Sequence, residues 1–153
     1  MKRMIVALLA LMLLLAGCGG EEKAVEVNVQ ELYKDLEAVG MPKMVEVNQD
    51  MMLSLYGIKA EDTKQAKVMI CDDGLKADEV WLIEAVDAAA AKRIVEKANS
   101  RIAQKDAESA TYDPEQNAIV KKTLVVTQGN YVFMITSPNV NKMEKVINDA
   151  LGK

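Results

Sequence analysis

The side chains able to do chemistry fall into four groups. They are two cysteines, Cys18 and Cys71; an acidic set around one turn, Asp72, Asp73, Asp78 and Glu79; clustered methionines, Met41, Met44, Met51 and Met52; and aromatics led by Trp81 and Phe133. Histidine is absent from all 153 residues. Its absence removes the usual general base, the Ser-His and Cys-His nucleophile pairs and the commonest transition-metal ligand. Cys71 ends an apolar stretch with no cation beside it to activate the thiol, so it reads as a buried structural cysteine. The four acids suggest calcium but lack the order of an EF-hand loop, and a solvated hairpin end accounts for them. Thioethers suit Cu(I). Met51 and Met52, however, sit on a helical stripe, where packing or an adaptable contact surface for a partner explains them. Trp81 and Phe133 are expected in the core, with a sugar- or peptide-stacking platform as the sharper alternative. No phosphate loop, zinc ligand set or nucleophile elbow is present. Carboxylate pairs have no recognisable catalytic setting, which leaves a carboxylate-based hydrolase without histidine or metal as the enzymatic alternative.

Cys18 has a context that Cys71 lacks. Lys2 and Arg3 open the chain, the apolar run Met4 to Leu15 follows, and Ala16-Gly17 leads into the cysteine. A charged start, an apolar run and a small-residue exit make a secretory signal, and the run is shorter than the roughly 20 residues a spanning helix needs. Leu15-Ala16-Gly17-Cys18 resembles the bacterial lipobox. The resemblance implies cleavage between Gly17 and Cys18 and a diacylglyceryl lipid on the Cys18 thiol. It further implies a palmitate-type anchor at the extracytoplasmic face of the cell membrane. Two acyl chains hold a protein stably where one does not, at about 0.8 kcal/mol per buried methylene. Gly19 to Ala24 is polar and glycine-led and reads as a tether. The expected organisation is a removed signal over 1–17, an anchored cysteine and tether over 18–27, and a single domain over 28–153.

The charge balance narrows the partners. The signal holds two of the 19 basic residues and no acids, so 17 cations face 23 acids in the remainder, a net charge of −6. A weakly acidic body argues against nucleic acid and against adhesion to anionic lipid by charge alone. With Cys18 acylated, Cys71 has no disulfide partner.

The elements that must position these groups follow from periodicity. Val29, Leu32, Tyr33 and Leu36 make a helical stripe behind Asn28, and Gly40 with Pro42 ends it. Gln49 to Tyr56 reads as a second helix capped by Asn48 and stopped by Gly57. Strands are expected at Lys67–Cys71 and Glu79–Ala85, and a helix from Asp87 to about Lys105. The stretch around Pro114 is expected to be irregular with a short helical turn. A hairpin of Ile119–Thr127 and Tyr131–Thr136 then leads to a final helix carrying Val140, Met143 and Ile147.

An offset of 52 lays Val80 on Val132, Trp81 on Phe133 and Ile94 on Val146. The two halves therefore read as a repeat, with Trp81 and Phe133 pointing the same way. The expected fold is α+β: a leading αα segment, then two ββα units forming a four-stranded antiparallel sheet with helices on one face. Leu55-Tyr56-Gly57-Ile58, Ala77-Asp78-Glu79-Val80, Tyr112-Asp113-Pro114-Glu115-Gln116 and Gln128-Gly129-Asn130-Tyr131-Val132 together resemble the domain-of-unknown-function family 4358. These are lipoproteins found mainly in anaerobic Gram-positive bacteria. The resemblance spans most of residues 29–151 and brings no assigned activity, and its motifs are turn and strand signatures. The sequence thus leads to a lipid-anchored binding or protein-interaction module of the cell envelope with no cofactor beyond the lipid. Its candidate ligand or envelope-protein surface consists of Trp81, Phe133, Met51 and Met52.

Overall fold

A computed structural model describes residues 26–153; Gly17, Cys18, the signal and nearly all of the tether lie outside the described residues. The chain runs through α1 (Val29–Ala38), β1 (Met44–Glu46), α2 (Gln49–Tyr56), a 3-10 turn (Ala60–Asp62), β2 (Thr63–Cys71) and β3 (Glu79–Ala85). It continues through α3 (Ala88–Ser109), α4 (Pro114–Val120), β4 (Leu124–Gln128), β5 (Tyr131–Thr136) and α5 (Val140–Ala150).

Local chemistry sets most of these boundaries. Asn28, Asn48, Asp87 and Asp113 each turn a side-chain oxygen onto a first-turn amide, filling donors that the helix cannot satisfy itself. Gly57 closes α2 in the left-handed region, at φ 68°. The expected α1, α2, β3, β5 and final helix all form. β2 begins four residues earlier than its apolar core, at Thr63, and α3 runs on to Ser109. The Pro114 stretch is a full helix, because Asp113 caps it and proline fits its first position. That helix takes Ile119 and Val120, so β4 starts only at Leu124. Val27 belongs to the domain and not to the tether. It is buried, its amide donates to the Tyr131 hydroxyl at 2.9 Å, and its carbonyl accepts from Gln65 Nε2 at 2.9 Å.

The sheet has five antiparallel strands in the order β1-β2-β3-β5-β4, where four were expected. The extra one is β1, three residues at the edge of β2, pairing Met44 with Cys71. Helices cover both faces, where one was expected. On one face α1 and α5 pack Leu36, Met143 and Ile147 against Val80, Leu82, Phe133 and Ile135. On the other, α2 and α3 pack Met52, Tyr56, Ile94 and Ala98 against Val68, Trp81, Ile83 and Met134. Strands β3 and β5 are therefore buried along their whole length on both faces.

Trp81 and Phe133 consequently point in opposite directions. The register sets Trp81 opposite Met134 and Leu82 opposite Phe133. Paired residues share a face, so neighbours along a strand do not. Each half does run hairpin then helix, but α3 and α5 lie on different faces, and the offset of 52 exchanges the two sides of the sheet.

Candidate functional site

The residues singled out by type separate in space. Trp81 is wholly buried in the α2–α3 layer, Phe133 lies in the α1–α5 layer, and both are core residues with no surface to offer. Met52 is buried and Met51 half-buried in the α2–α3 layer, whereas Met41 and Met44 pack against the other. The apolar side chains that α2 exposes are Leu53 and Leu55. Cys71 is buried and free. The four acids do not converge. Asp72 pairs with Lys43, Asp73 Oδ1 accepts from the Leu75 amide, and Glu79 turns into the sheet interior. Among the described residues no group of three His, Cys, Asp or Glu side chains is placed to hold a metal ion.

Glu79 is where chemistry-bearing groups do assemble. It opens β3, is fully buried, and lies under α3. Arg101 and Lys105 stand one turn apart on α3, a spacing that puts both on one helix face. Arg101 donates to Glu79 through Nε and Nη2, both at 3.1 Å to Oε2, and Lys105 Nζ reaches the same oxygen at 2.9 Å. The Trp81 indole N–H donates to Oε1 at 2.9 Å. Burial by itself pushes the Glu79 carboxyl up. The charges of Lys105 and Arg101, with their hydrogen bonds, outweigh it and hold the group below the usual carboxylate range. The Tyr56 ring, 4.6 Å from Trp81, lies under the Arg101 guanidinium at 5.5 Å and closes the assembly from α2. Burial and then the nearby Glu79 charge push the Tyr56 hydroxyl up, so it stays a neutral phenol.

A cavity of about 400 Å³ opens above this assembly, between the β2–β3 turn and the α3–α4 corner. Two cross-links fix its walls: Lys105 Nζ donates to the Ala77 carbonyl, and the Ala77 amide donates to Gln116 Oε1 at 2.7 Å. Asn117 ties α4 back to α3 through Asp106 and Ser109. Arg101 and Lys105 form part of the floor, and Ile70 and Val120 are apolar wall. Leu75 and Tyr112, 80% and 74% exposed, form the lips. A smaller cleft beside Gly57 is lined by Asp62 and Arg93, which bind each other, and by Lys59, which binds Glu61.

Two of the stretches that carried the family resemblance, Ala77–Val80 and Tyr112–Gln116, face each other across the larger cavity. Comparison with known families decides the affiliation: the model of the domain of unknown function DUF4358 matches residues 37–137. The chain belongs to the DUF4358 family. The matched span contains every residue of the cavity and of the Glu79 assembly. No curated protein and no solved structure matches this DUF4358 chain. The sequence puts Glu79 at the head of a strand, flanking a solvated hairpin end, and no motif in it singles out Arg101 and Lys105. The signal that marks them is an acid heading the apolar run EVWLIEA, with a later helix offering two cations four residues apart.

Proposed function

We propose that this DUF4358 protein is a lipid-anchored binding module that takes a small ligand at the β2–β3 end of its sheet. The observation that carries this reading is the cavity itself. At about 400 Å³, with an apolar wall and a few convergent polar groups, it has the size and lining of small-molecule sites. Its walls are held by side-chain to main-chain cross-links, so the shape exists before a ligand arrives. A binding role suits the floor better than a catalytic one. Both oxygens of Glu79 are occupied by donors, which leaves no free lone pair to take a proton from a substrate.

The anchor is the second part of the reading and rests on Leu15-Ala16-Gly17-Cys18. It places the domain at the extracytoplasmic face of the membrane, next to ligands or envelope proteins of that compartment.

Two measurements test the proposal. A fragment screen by NMR on the full chain should give chemical-shift changes that cluster on Leu75, Lys76 and Tyr112. Changes scattered over the surface, or none, would remove the cavity as a site. Cys18→Ser should move the protein from the membrane to the soluble fraction and abolish incorporation of labelled fatty acid. Unchanged membrane retention would remove the anchor.

A further inference from the structure

The charges around the cavity are of both signs. Arg101 and Lys105 lie at the floor, with side chains 22% and 11% exposed. Two cations share one buried carboxylate there, and Glu79 has no acceptor left to give them. Arg101 spends Nε and Nη2 on Glu79 and Nη1 on Gln104, so two of the five N–H bonds of a guanidinium remain. Lys105 spends two of three, on Ala77 and Glu79. Three further acids share the lining. Glu108 is exposed, Asp113 is half-buried at the head of α4, and Asp78 is buried, with an Oδ1 that has no hydrogen-bond partner among the described residues. Lys76 is the one other cation on the described lining.

A ligand of single charge would gain from one set and be opposed by the other. An anion would find donors at the floor but be opposed by Glu108 and Asp113. A cation would be drawn by the acids but opposed by Arg101 and Lys105. A dianion such as a phosphate monoester would meet the acids with twice the charge. One ligand type satisfies both sets, and the apolar wall and lips add what its third group must be. We infer that the cavity takes a free amino acid with an apolar side chain. Its carboxylate accepts from the unspent N–H groups of Arg101 and Lys105, and its ammonium lies toward the acids. The side chain packs on Ile70 and Val120 and beneath Leu75 and Tyr112. This inference rests on the cavity being a ligand site.

The test is isothermal titration of the full chain, purified in detergent, with L-phenylalanine and two relatives that each lack one charge, 3-phenylpropionate and phenethylamine. Loss of either charge should weaken binding by at least tenfold. Among the described residues Glu108, which is exposed, accepts only from Gln104, so Glu108→Gln leaves the fold intact. That variant should weaken phenylalanine severalfold and strengthen 3-phenylpropionate. Equal binding of phenylalanine and phenethylamine, or of phenylalanine and 3-phenylpropionate, overturns the inference. So does a Glu108→Gln variant that shifts both ligands the same way. If none of the three binds while other fragments still move the Leu75 and Tyr112 signals, the amino-acid inference falls and the binding-module reading stands. If nothing moves those signals, both fall.

Discussion

Glu79 concentrates the physics of the site in one side chain. A carboxylate taken out of water costs several kcal/mol and is kept only where charges and hydrogen bonds replace the solvent. Arg101, Lys105 and the Trp81 indole supply that replacement. Glu79→Gln retains the shape but leaves two half-buried cations without their countercharge, and should cost about 3–5 kcal/mol by urea unfolding. Its pH signature is distinct. The folded carboxyl titrates below its unfolded value, about 4.3 for glutamate, so its stabilisation is complete above that value. It is lost as pH falls through the lower folded value. Wild type should therefore lose melting temperature between pH 5 and 3 more steeply than Glu79→Gln, and equal slopes would show that the carboxylate is not paired as described. The residue's role was only half legible in sequence. Its position at the head of a strand was clear, but its partners lie 22 and 26 positions away on α3. Only the fold brings them to it.

The elements were read best where local chemistry decides them. Asn48, Asp87 and Gly57 mark helix ends through hydrogen bonds and dihedral angles that need no tertiary context. Gly57 gives the cleanest test. At φ 68°, with Lys97 Nζ 3.2 Å from where a Cβ would stand, Gly57→Ala should cost about 1–2 kcal/mol in urea unfolding. Gly74→Ala, with open space around it, should be close to neutral and serve as the control. What failed was the reading of faces. A half-buried strand alternates apolar and polar residues, whereas EVWLIEA and YVFMIT are apolar almost without break. Continuous apolar runs belong to strands covered on both sides, and these two are buried at every position. That pattern argues against a one-sided sheet. The apparent repeat misled for a related reason. Two runs apolar at nearly every position match at any small offset, so the hydrophobic pattern fixes neither register nor face. The edge strand β1 was missed because three residues are too few to show a period.

At the scale of the whole molecule, the place where the tether joins and the place where the cavity opens lie at opposite ends of the sheet. Val27 is held by Gln65 near the start of β2 and by Tyr131 at the start of β5, beside the β4–β5 turn. The cavity lies past Cys71 at the end of β2. The strand between spans about 20 Å at ~3.4 Å per residue. The proposed lipid on Cys18 would be joined to Glu26 by a chain of eight residues, at most about 29 Å when fully extended. With the proposed lipid in place, the tethered end of the domain would stay within that reach of the bilayer, and we propose that the cavity, at the far end of the sheet, opens to the aqueous phase. Spin labels on a Cys71→Ser background test this arrangement, because Cys71 is a free thiol on the cavity lining. In vesicles containing a nickel-chelating lipid, a label at Asn130→Cys, beside the anchored end, should relax strongly, and one at Leu75→Cys, on the cavity lip, only weakly. Equal relaxation, or the reverse order, would show that the cavity faces the membrane and that its ligand must come from there.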